Sequence, residues 1–423
     1  MVSLRSQLLL FLLGQSAELA SALPPSPAGH RRQAQSHDLP LTWNPFGFLS
    51  NASVGTPAQQ FPVFVDWTWI NQYVLSTTCY GQTGNPSACL DPTQHYFNQS
   101  ASSTFQALPQ QYPRRTWNPN HFYFYRDLTV DHGTDFLHVG PSTAKIVLQT
   151  ADITFNLSGS PFPFGGVYGL SPVFHSDNAS TSSGFYQAWK QGQWPSPHVA
   201  FHYCYADSPD TTKSTCNGHD GIQTLGGINR KLVKNDKIYW YPNKVFLDVN
   251  TKDFVYAPAL YNYWATDLDS FRIGNETMTV KATAQNPKPA AIFDHASYGR
   301  GTALTPNAYN HLIQLAGATP TTLQNPPNNG NQTWHEFDCA KASTLPTIYY
   351  KFAGHSKEWP VEAHHYVEKV EDKCVLNVRT LADGDEFIGN FGETFSKDKY
   401  IIFDFEKLQL GIAELDWNAA SRY

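Results

Sequence analysis

The stretch "VFVDWTWINQYVLS", residues 63–76, places one carboxylate, Asp66, at the end of an apolar run rich in valine. β-Branched residues favour strands, and a strand that is apolar on both faces is normally buried. A buried carboxylate is costly unless hydrogen bonds or a shared proton compensate for its lost hydration. We therefore expect a partner for Asp66 elsewhere in the chain.

A weak internal repeat supplies a candidate partner. Asp66 ends one apolar run and precedes the glycine-marked segment "PFGGVYGLSP" (163–172), while Asp294 ends "AAIFD" and precedes "FIGNFGETF" (387–395). Such a repeat predicts two β lobes, each contributing one aspartate to a cleft between them. Two facing carboxylates do not both ionise readily, so one keeps a proton and the pair can act as base and acid.

Composition predicts a globular, mainly β chain. The 423 residues are 41% hydrophobic and 14% aromatic, enough for one large core or two lobes. A net charge of −6 with 15% charged residues gives no basic patch for nucleic acid and no lysine-rich surface for acidic membranes. Short apolar runs alternate with Gly, Pro and Asn, and short helices are expected at 183–192 and 307–317.

The N-terminal segment predicts secretion. Residues 1–22 contain an apolar run, 8–13, that is too short to span a bilayer and is followed by small residues typical of a signal-peptide cleavage site. Residues 23–39 are Pro-rich and carry the dibasic pair Arg31–Arg32, which favours a short disordered leader. We expect a soluble, extracellular protein with no membrane partner.

Cysteines and glycosylation sequons agree with an oxidising compartment. The simplest of the fifteen pairings that six cysteines allow is Cys79–Cys89, Cys204–Cys216 and Cys339–Cys374. Because no C-x-x-C spacing occurs, a zinc site is not expected, and neither is any other metal or cofactor. N-x-S/T sequons begin at Asn51, Asn98, Asn156, Asn178, Asn275 and Asn331.

Several stretches carry a resemblance to a known family. They are "PFGFLSNASVGTPAQQFPVFVD", "PFGGVYGLSP", "IQTLGGINRKLVKNDKIYWYP", "AAIFD" and "FGETFSKDKYIIFDFEKLQLGIAEL". In order and spacing they resemble pepsin-like aspartic peptidases over nearly the whole mature length. The resemblance implies an all-β, bilobal acid-protease fold with lobes at 40–240 and 241–423, three disulfides at the cysteine pairs above, and a monomer that binds a peptide or protein in its cleft.

The resemblance also implies roles for individual residues. Asp66 and Asp294 occupy the catalytic positions, where one aspartate would activate a water and the other would protonate the substrate carbonyl oxygen. The flap tyrosine falls on Tyr123 within "NHFYFYRDLTVDHGTDFLHVG", and Tyr125 lies two residues away. No cofactor is implied.

Both catalytic signatures depart from the family. Where the family has Asp-Thr-Gly followed by Ser or Thr, the chain has Asp66-Trp67-Thr68-Trp69 and Asp294-His295-Ala296-Ser297. In the family each threonine hydroxyl crosses to the opposite loop as a hydrogen-bonded clamp, and each glycine lets a backbone N–H approach a carboxylate. Trp67 has no hydroxyl, and the ring of His295 has a different shape. The family's clamp is therefore not expected here.

Other departures lie in the flap and the leader. The flap contains Phe124–Arg126 where the family has small residues, and 297–301 resembles an insertion in the second loop. The leader 23–39 is too short to fill a cleft, so an inhibitory pro-segment is not expected.

Three hypotheses follow for the function. The first is a secreted pepsin-like protein with weakened or lost endopeptidase activity, whose cleft binds a ligand. The second is an active aspartic endopeptidase with unusual loops. The third is a non-peptidase enzyme that uses Asp66, Asp294 and His295 for acid–base chemistry on a small molecule. Trp67 and His295 are candidate ligand contacts, with packing as the alternative for each. The remaining histidines, including His364 and His365, show no ligand spacing and are expected at the surface.

Overall fold

The computed structural model describes residues 36–44, 47–67, 72–77, 95–108, 116–117, 128–152, 163–172, 182–204, 219–244, 264–282, 288–294, 302–324, 333–380, 389 and 391–420. Up to residue 242 the strands are β1 (His37–Asn44), β2 (Gly47–Val54), β3 (Gln59–Asp66), β4 (Gln72–Leu75), β5 (Gln106–Ala107), β6 (Thr116–Trp117), β7 (Leu128–Val139), β8 (Ser142–Asp152), β9 (Gly166–Gly169), β10 (His198–Tyr203), β11 (Gly221–Leu225) and β12 (Tyr239–Pro242).

The remaining strands are β13 (Trp264–Ile273), β14 (Glu276–Thr277), β15 (Ala290–Phe293), β16 (Ala303–Leu304), β17 (Thr319–Thr321), β18 (Trp334–Phe337), β19 (Ile348–Phe352), β20 (Glu358–Val361), β21 (Val367–Val370), β22 (Lys373–Leu376), β23 (Arg379–Thr380), β24 (Lys399–Asp404) and β25 (Gln409–Glu414). The α-helices are α1 (Gly184–Lys190), α2 (Pro306–Ala316), α3 (Ala363–Tyr366), α4 (Glu393–Ser396) and α5 (Trp417–Ala420). The predicted mainly β architecture with short helices is confirmed.

A fourteen-stranded sheet organises most of the chain. Its order is β12-β25-β24-β10-β11-β1-β2-β3-β9-β4-β8-β7-β5, and β6 pairs with β7. Strands β24 and β25 come from the C-terminal end of the chain, yet they pair with β10 and β12. The sheet therefore runs across the predicted lobe boundary between residues 240 and 241. The lobe limits themselves stay a prediction.

Smaller sheets form the rest of the C-terminal half. One has the order β14-β13-β19-β20 with β15 paired to β13, another the order β17-β18-β22-β21, and β16 pairs with β23. Their inward side chains join those of the large sheet in one continuous hydrophobic core. Burial of this shared apolar surface holds the halves of the described chain together.

The hairpin of β7 and β8 is the longest in the structure's described part. Val139 pairs with Ser142, so only two residues form its turn. Gly140 in that turn has φ +53°, a conformation that a side chain disfavours. Tyr123, the predicted flap tyrosine, lies outside the described residues.

The two predicted helices are confirmed with small shifts of their ends. Helix α1 begins after Ser183, whose side chain accepts from the N–H of Tyr186. Helix α2 is capped by Thr305, has proline at its start and ends at Gly317 with φ 63°. These are the residues that satisfy the unpaired N–H and C=O groups at helix ends.

One of the three predicted disulfides is confirmed in full. Cys339 is bonded to Cys374 and ties the turn after β18 to β22. Cys204 is also disulfide-bonded, but its predicted partner Cys216 lies outside the described residues, as does the predicted pair Cys79–Cys89.

Other predictions fall partly outside the described ranges. The predicted signal peptide, and all but the last residues of the predicted leader, lie outside them. Among the sequons, Asn51, Asn98 and Asn275 are described, and each is exposed. Their glycosylation stays a prediction.

Candidate active site

Asp66 ends strand β3, where the sequence predicts it. The last four residues of β3 are buried because β3 lies between β2 and β9 inside the large sheet. Parallel pairing places Asp66 opposite Gly169, and the N–H of Leu170 donates to the Asp66 carbonyl oxygen at 2.8 Å. The Asp66 residue is 2% exposed. Its main chain is therefore fixed by strand pairing, and its carboxylate starts from a rigid position.

Asp294 directly follows strand β15. Its N–H donates to the carbonyl oxygen of Phe391 at 3.2 Å, and the N–H of Phe391 donates to the carbonyl oxygen of Ile292 at 2.6 Å. Asp294 is half-buried. Each aspartate thus lies at the end of a strand whose neighbour is the glycine-marked segment of its own half. In both halves a backbone hydrogen bond joins the aspartate to that glycine-marked segment.

Trp264 connects the two aspartate strands. It lies on β13 opposite Phe293, the residue before Asp294. Its indole N–H donates to the carbonyl oxygen of Leu170 at 2.7 Å, and Leu170 is the residue whose N–H holds Asp66. A single buried side chain therefore joins the backbone next to one acid to the backbone next to the other.

Trp67 points into the core. It is 0% exposed, and its ring centroid lies 5.1 Å from that of Phe201 and 5.0 Å from that of Phe403. These contacts are with aromatic side chains of the large sheet, which agrees with the packing alternative for this residue. Contact of Trp67 with a ligand stays a prediction.

Tyr73 is a neighbour of Asp66 that sequence reasoning missed. It lies on β4, which pairs with β9, so that β9 separates it from the aspartate strand. Burial first, and then the negative charge of Asp66, raise the pKa of the Tyr73 hydroxyl well above its ordinary value. The hydroxyl is therefore neutral at acid and neutral pH. Tyr73 lies in the same stretch as Asp66, residues 63–76. Its proximity to Asp66, however, follows only from the order of the strands.

Glu393 is a second buried carboxylate near the site. It is the first residue of α4, is 4% exposed and accepts a hydrogen bond from the indole N–H of Trp43 at 3.3 Å. Burial, followed by the charge of Glu393, raises the pKa of Tyr203 well above its ordinary value. Trp43 comes from β1, so this contact also joins the two ends of the chain.

Several predicted site residues lie outside the described ranges. They are Thr68, Trp69, Tyr123, Tyr125 and the loop after Asp294 that begins with His295. Their roles, including acid–base chemistry by His295, stay predictions.

The expectation that the remaining histidines lie at the surface is wrong for two of them. His202 is wholly buried because it lies on β10, an inner strand of the large sheet, and His365 on the packed helix α3 is 2% exposed. His364 is exposed, as expected. Within the described ranges, no group of three or more His, Cys, Asp or Glu side chains is arranged to hold a metal ion.

Comparison with known proteins identifies the family. The family model described as eukaryotic aspartyl protease matches residues 47–415, which include both aspartates and their neighbouring segments. The chain belongs to the eukaryotic aspartyl protease family. Its fold is accordingly the family's bilobal all-β fold, and the family binds peptide substrates.

Three similar relatives come from fungi. Aspartic protease-like protein pytH of Aspergillus terreus is 49% identical over 91% of this chain and 94% of its own length. Aspartic protease-like protein pynH of Aspergillus niger is 48% identical over 95% of this chain and 97% of its own length. A probable secreted aspartic protease of Arthroderma benhamiae is 41% identical over 97% of this chain and 99% of its own length.

In the part of the chain that the structure describes, none of the helices has the length and apolar character of a membrane span.

Proposed function

We propose that this member of the eukaryotic aspartyl protease family is secreted, has weakened or lost endopeptidase activity, and binds a peptide-like ligand in its cleft. Secretion is supported by the predicted signal peptide and by the name of the Arthroderma relative, a probable secreted aspartic protease. The observation that carries the loss of activity is the buried position of Trp67.

The argument from Trp67 concerns the hydrogen bonds around the acids. In the family, threonine at this position sends a hydroxyl across to the opposite loop. Here an indole packs on Phe201 and Phe403 instead. Displacing a catalytic group by about 1 Å can cost roughly 100-fold in rate. The loss of a hydroxyl from this position therefore supports reduced peptidase activity.

Two buried histidines give independent support. Burial lowers the pKa of His202 to about 4, and burial together with Lys399, His364 and Lys397 lowers the pKa of His365 far below its ordinary value. Because both rings are neutral when folded, acid favours the unfolded chain, which binds their protons. A pair of acids that shares one proton works at acid pH. These two histidines therefore lower the stability of the fold in the acid range where that chemistry would be most effective.

The second candidate is an active aspartic endopeptidase. It is favoured by the matching backbone placement of Asp66 and Asp294, each at a strand end beside its glycine-marked neighbour. Side chains at positions 67 and 295 do not alter that strand pairing.

One experiment separates the two candidates. The purified chain is incubated with unfolded casein from pH 3 to pH 7, beside an Asp66→Asn/Asp294→Asn double variant and with or without pepstatin, a peptide mimic of the tetrahedral intermediate. We expect the chain to cleave little or no faster than the double variant. We also expect pepstatin to raise its melting temperature, because a ligand that binds only the folded state stabilises it.

Strong pepstatin-sensitive cleavage, far above that of the double variant, would establish the second candidate. Absence of any pepstatin-induced thermal shift would contradict a cleft that accepts a peptide-like ligand.

A further inference from the structure

A set of buried aromatic rings joins the two halves of the candidate site. The ring of Trp67 meets Phe403 edge-on, with centroids 5.0 Å apart and an interplanar angle of 74°. Phe403 in turn stacks on Trp264 with centroids 4.7 Å apart and an interplanar angle of 21°. All three residues are 0% exposed. Edge-on and stacked contacts at these distances are the favoured geometries for aromatic pairs.

The two ends of this set are tied to the two aspartates. At one end Trp67 follows Asp66 directly in the chain. At the other end Trp264 lies opposite Phe293, which precedes Asp294. Phe403 is provided by β24 and therefore links these ends through the large sheet.

A hydrogen-bonded path runs beside the rings. The indole N–H of Trp264 donates to the Leu170 carbonyl oxygen at 2.7 Å, and the N–H of Leu170 donates to the Asp66 carbonyl oxygen at 2.8 Å. Rings and hydrogen bonds thus form a closed circuit that passes Asp66, and the pairing of Trp264 with Phe293 connects this circuit to the residue before Asp294. A circuit of close-packed groups does not deform without losing contacts along its length.

We propose that Trp67, Phe403 and Trp264 form an aromatic bridge that positions Asp66 relative to Asp294. The bridge holds the acids through aromatic packing, in a geometry of its own, where the family uses a threonine hydroxyl. Its members are positioning residues, since none of them is placed to touch a reacting atom. The inference rests on the proposed function only in treating Asp66 and Asp294 as the paired acids of the cleft, and it holds whether or not the chain cleaves peptides.

A chemical probe of the pair itself tests the bridge without requiring cleavage. The probe is 1,2-epoxy-3-(4-nitrophenoxy)propane. An ionised carboxylate oxygen attacks an epoxide carbon, the C–O bond of the ring breaks, and the resulting alkoxide takes the proton of the neighbouring carboxylic acid. The product is an ester on one aspartate and a hydroxyl on the probe. Labelling therefore needs one ionised and one protonated acid within reach, and its rate is bell-shaped in pH.

The test compares folded variants by peptide mass spectrometry of the labelled aspartates. Trp67→Leu and Phe403→Leu remove a ring and keep an apolar side chain. We expect each to slow labelling at the optimum by about tenfold or more, given the sensitivity of such pairs to displacements of about 1 Å, and to flatten the bell. Trp67→Phe restores a ring and should recover the parent profile.

A matched control lies elsewhere in the same core. Trp359 is also 0% exposed, and its indole N–H donates to the Tyr241 hydroxyl at 2.9 Å. Trp359→Leu therefore removes a buried indole and a hydrogen bond without touching the bridge. Its melting temperature should fall, while its labelling rate and pH profile should match the parent.

Three results would overturn the bridge: parent-like labelling by folded Trp67→Leu, an equal loss in Trp359→Leu, or a parent profile with no bell. If Trp67→Leu does not fold, Trp264→Phe is the second variant: it replaces the indole by a smaller ring and removes the N–H that binds Leu170, and it should also slow labelling. The proposed function is judged separately by cleavage and thermal shift. Active cleavage with bridge-dependent labelling would refute the proposed function alone.

Discussion

Replacing His202 should reduce the sensitivity of the fold to acid. His202 lies on β10 opposite Ile222, wholly buried, with its ring centroid 6.3 Å from that of Tyr400. Burial lowers its pKa from 6.5 to about 4. Between these two values the unfolded chain binds a proton that the folded chain does not. The contribution of His202 to stability is therefore fully present above pH 6.5 and is lost as the pH drops towards 4.

The size of the effect follows from the same two pKa values. A difference of one pKa unit corresponds to about 1.4 kcal/mol, so the complete loss is about 3.4 kcal/mol below pH 4. Between pH 7 and pH 5 the linkage relation gives a loss of about 2 kcal/mol. His365 adds to the loss in the same direction, since its pKa is also lowered by burial.

The assay is urea unfolding of the parent and of His202→Gln at pH 7 and at pH 5. Glutamine keeps a polar side chain and cannot titrate, so the difference in unfolding free energy between the two pH values should shrink by about 2 kcal/mol. His37→Gln is the control, because His37 is exposed at the start of β1. An unchanged pH dependence in His202→Gln would refute the assignment of a buried, neutral ring at this position.

Three further predictions concern packing, the disulfide and glycosylation. Gly166→Ala should destabilise by about 3 kcal/mol or prevent folding, because its Cβ would overlap the main-chain carbonyl of Tyr73; urea unfolding measures this. Replacing Cys339 and Cys374 together by alanine should cost about 4 kcal/mol, the loop-closure value for a separation of 35 residues; calorimetry of the double variant measures it. Asn275→Gln should remove one N-glycan from protein secreted by a eukaryotic host, since Asn275 is an exposed sequon residue in the turn between β13 and β14; intact mass measures it.

Each of these predictions has its own control. Gly192→Ala is the control for Gly166, because a Cβ at position 192 meets no atom within 4 Å, although its φ of +74° carries a small cost. Unfolding free energies that match between the two glycine variants would contradict the packing argument. Reduction of the parent, which also opens the disulfide of Cys204, should cost at least as much stability as the cysteine variant loses. A mass of Asn275→Gln that differs from the parent only by the added CH2 group would show that this sequon is unused.

Local signals were sufficient for much of the fold. The segments 183–192 and 307–317, the second ending in Gly317, predicted α1 and α2, because helical patterns and their glycine stops involve residues close together in the chain. The placement of Asp66 and Asp294 at strand ends was also predictable, since it requires only an apolar run and its end. In each case the deciding interactions lie within a few residues along the chain.

Other features depend on contacts that no local pattern contains. Pairing of β24 with β10 joins residues about two hundred positions apart, and the proximity of Tyr73 to Asp66 depends on β9 lying between β3 and β4. The burial of His202 likewise depends on which face of β10 is covered. Histidine composition alone favours the surface, and the tertiary fold overrides that preference.

The backbone that holds the two acids does not depend on the side chains of the family's signature. This independence determines how activity must be measured. Strand pairing holds the backbone of Asp66 and Asp294 whatever side chains follow them, so loss of the signature does not by itself remove the pair. The burial of neutral His202 meanwhile lowers the free energy of unfolding by about 2 kcal/mol between pH 7 and pH 5. An absence of cleavage at pH 3 could therefore result from unfolding as well as from misplaced acids. Cleavage by the parent should be compared with cleavage by His202→Gln at pH 4 to 5. If the variant is folded at that pH and still inactive, misplacement of the two acids explains the lack of activity. If the variant becomes active, unfolding of the parent explains it, and the second candidate is correct.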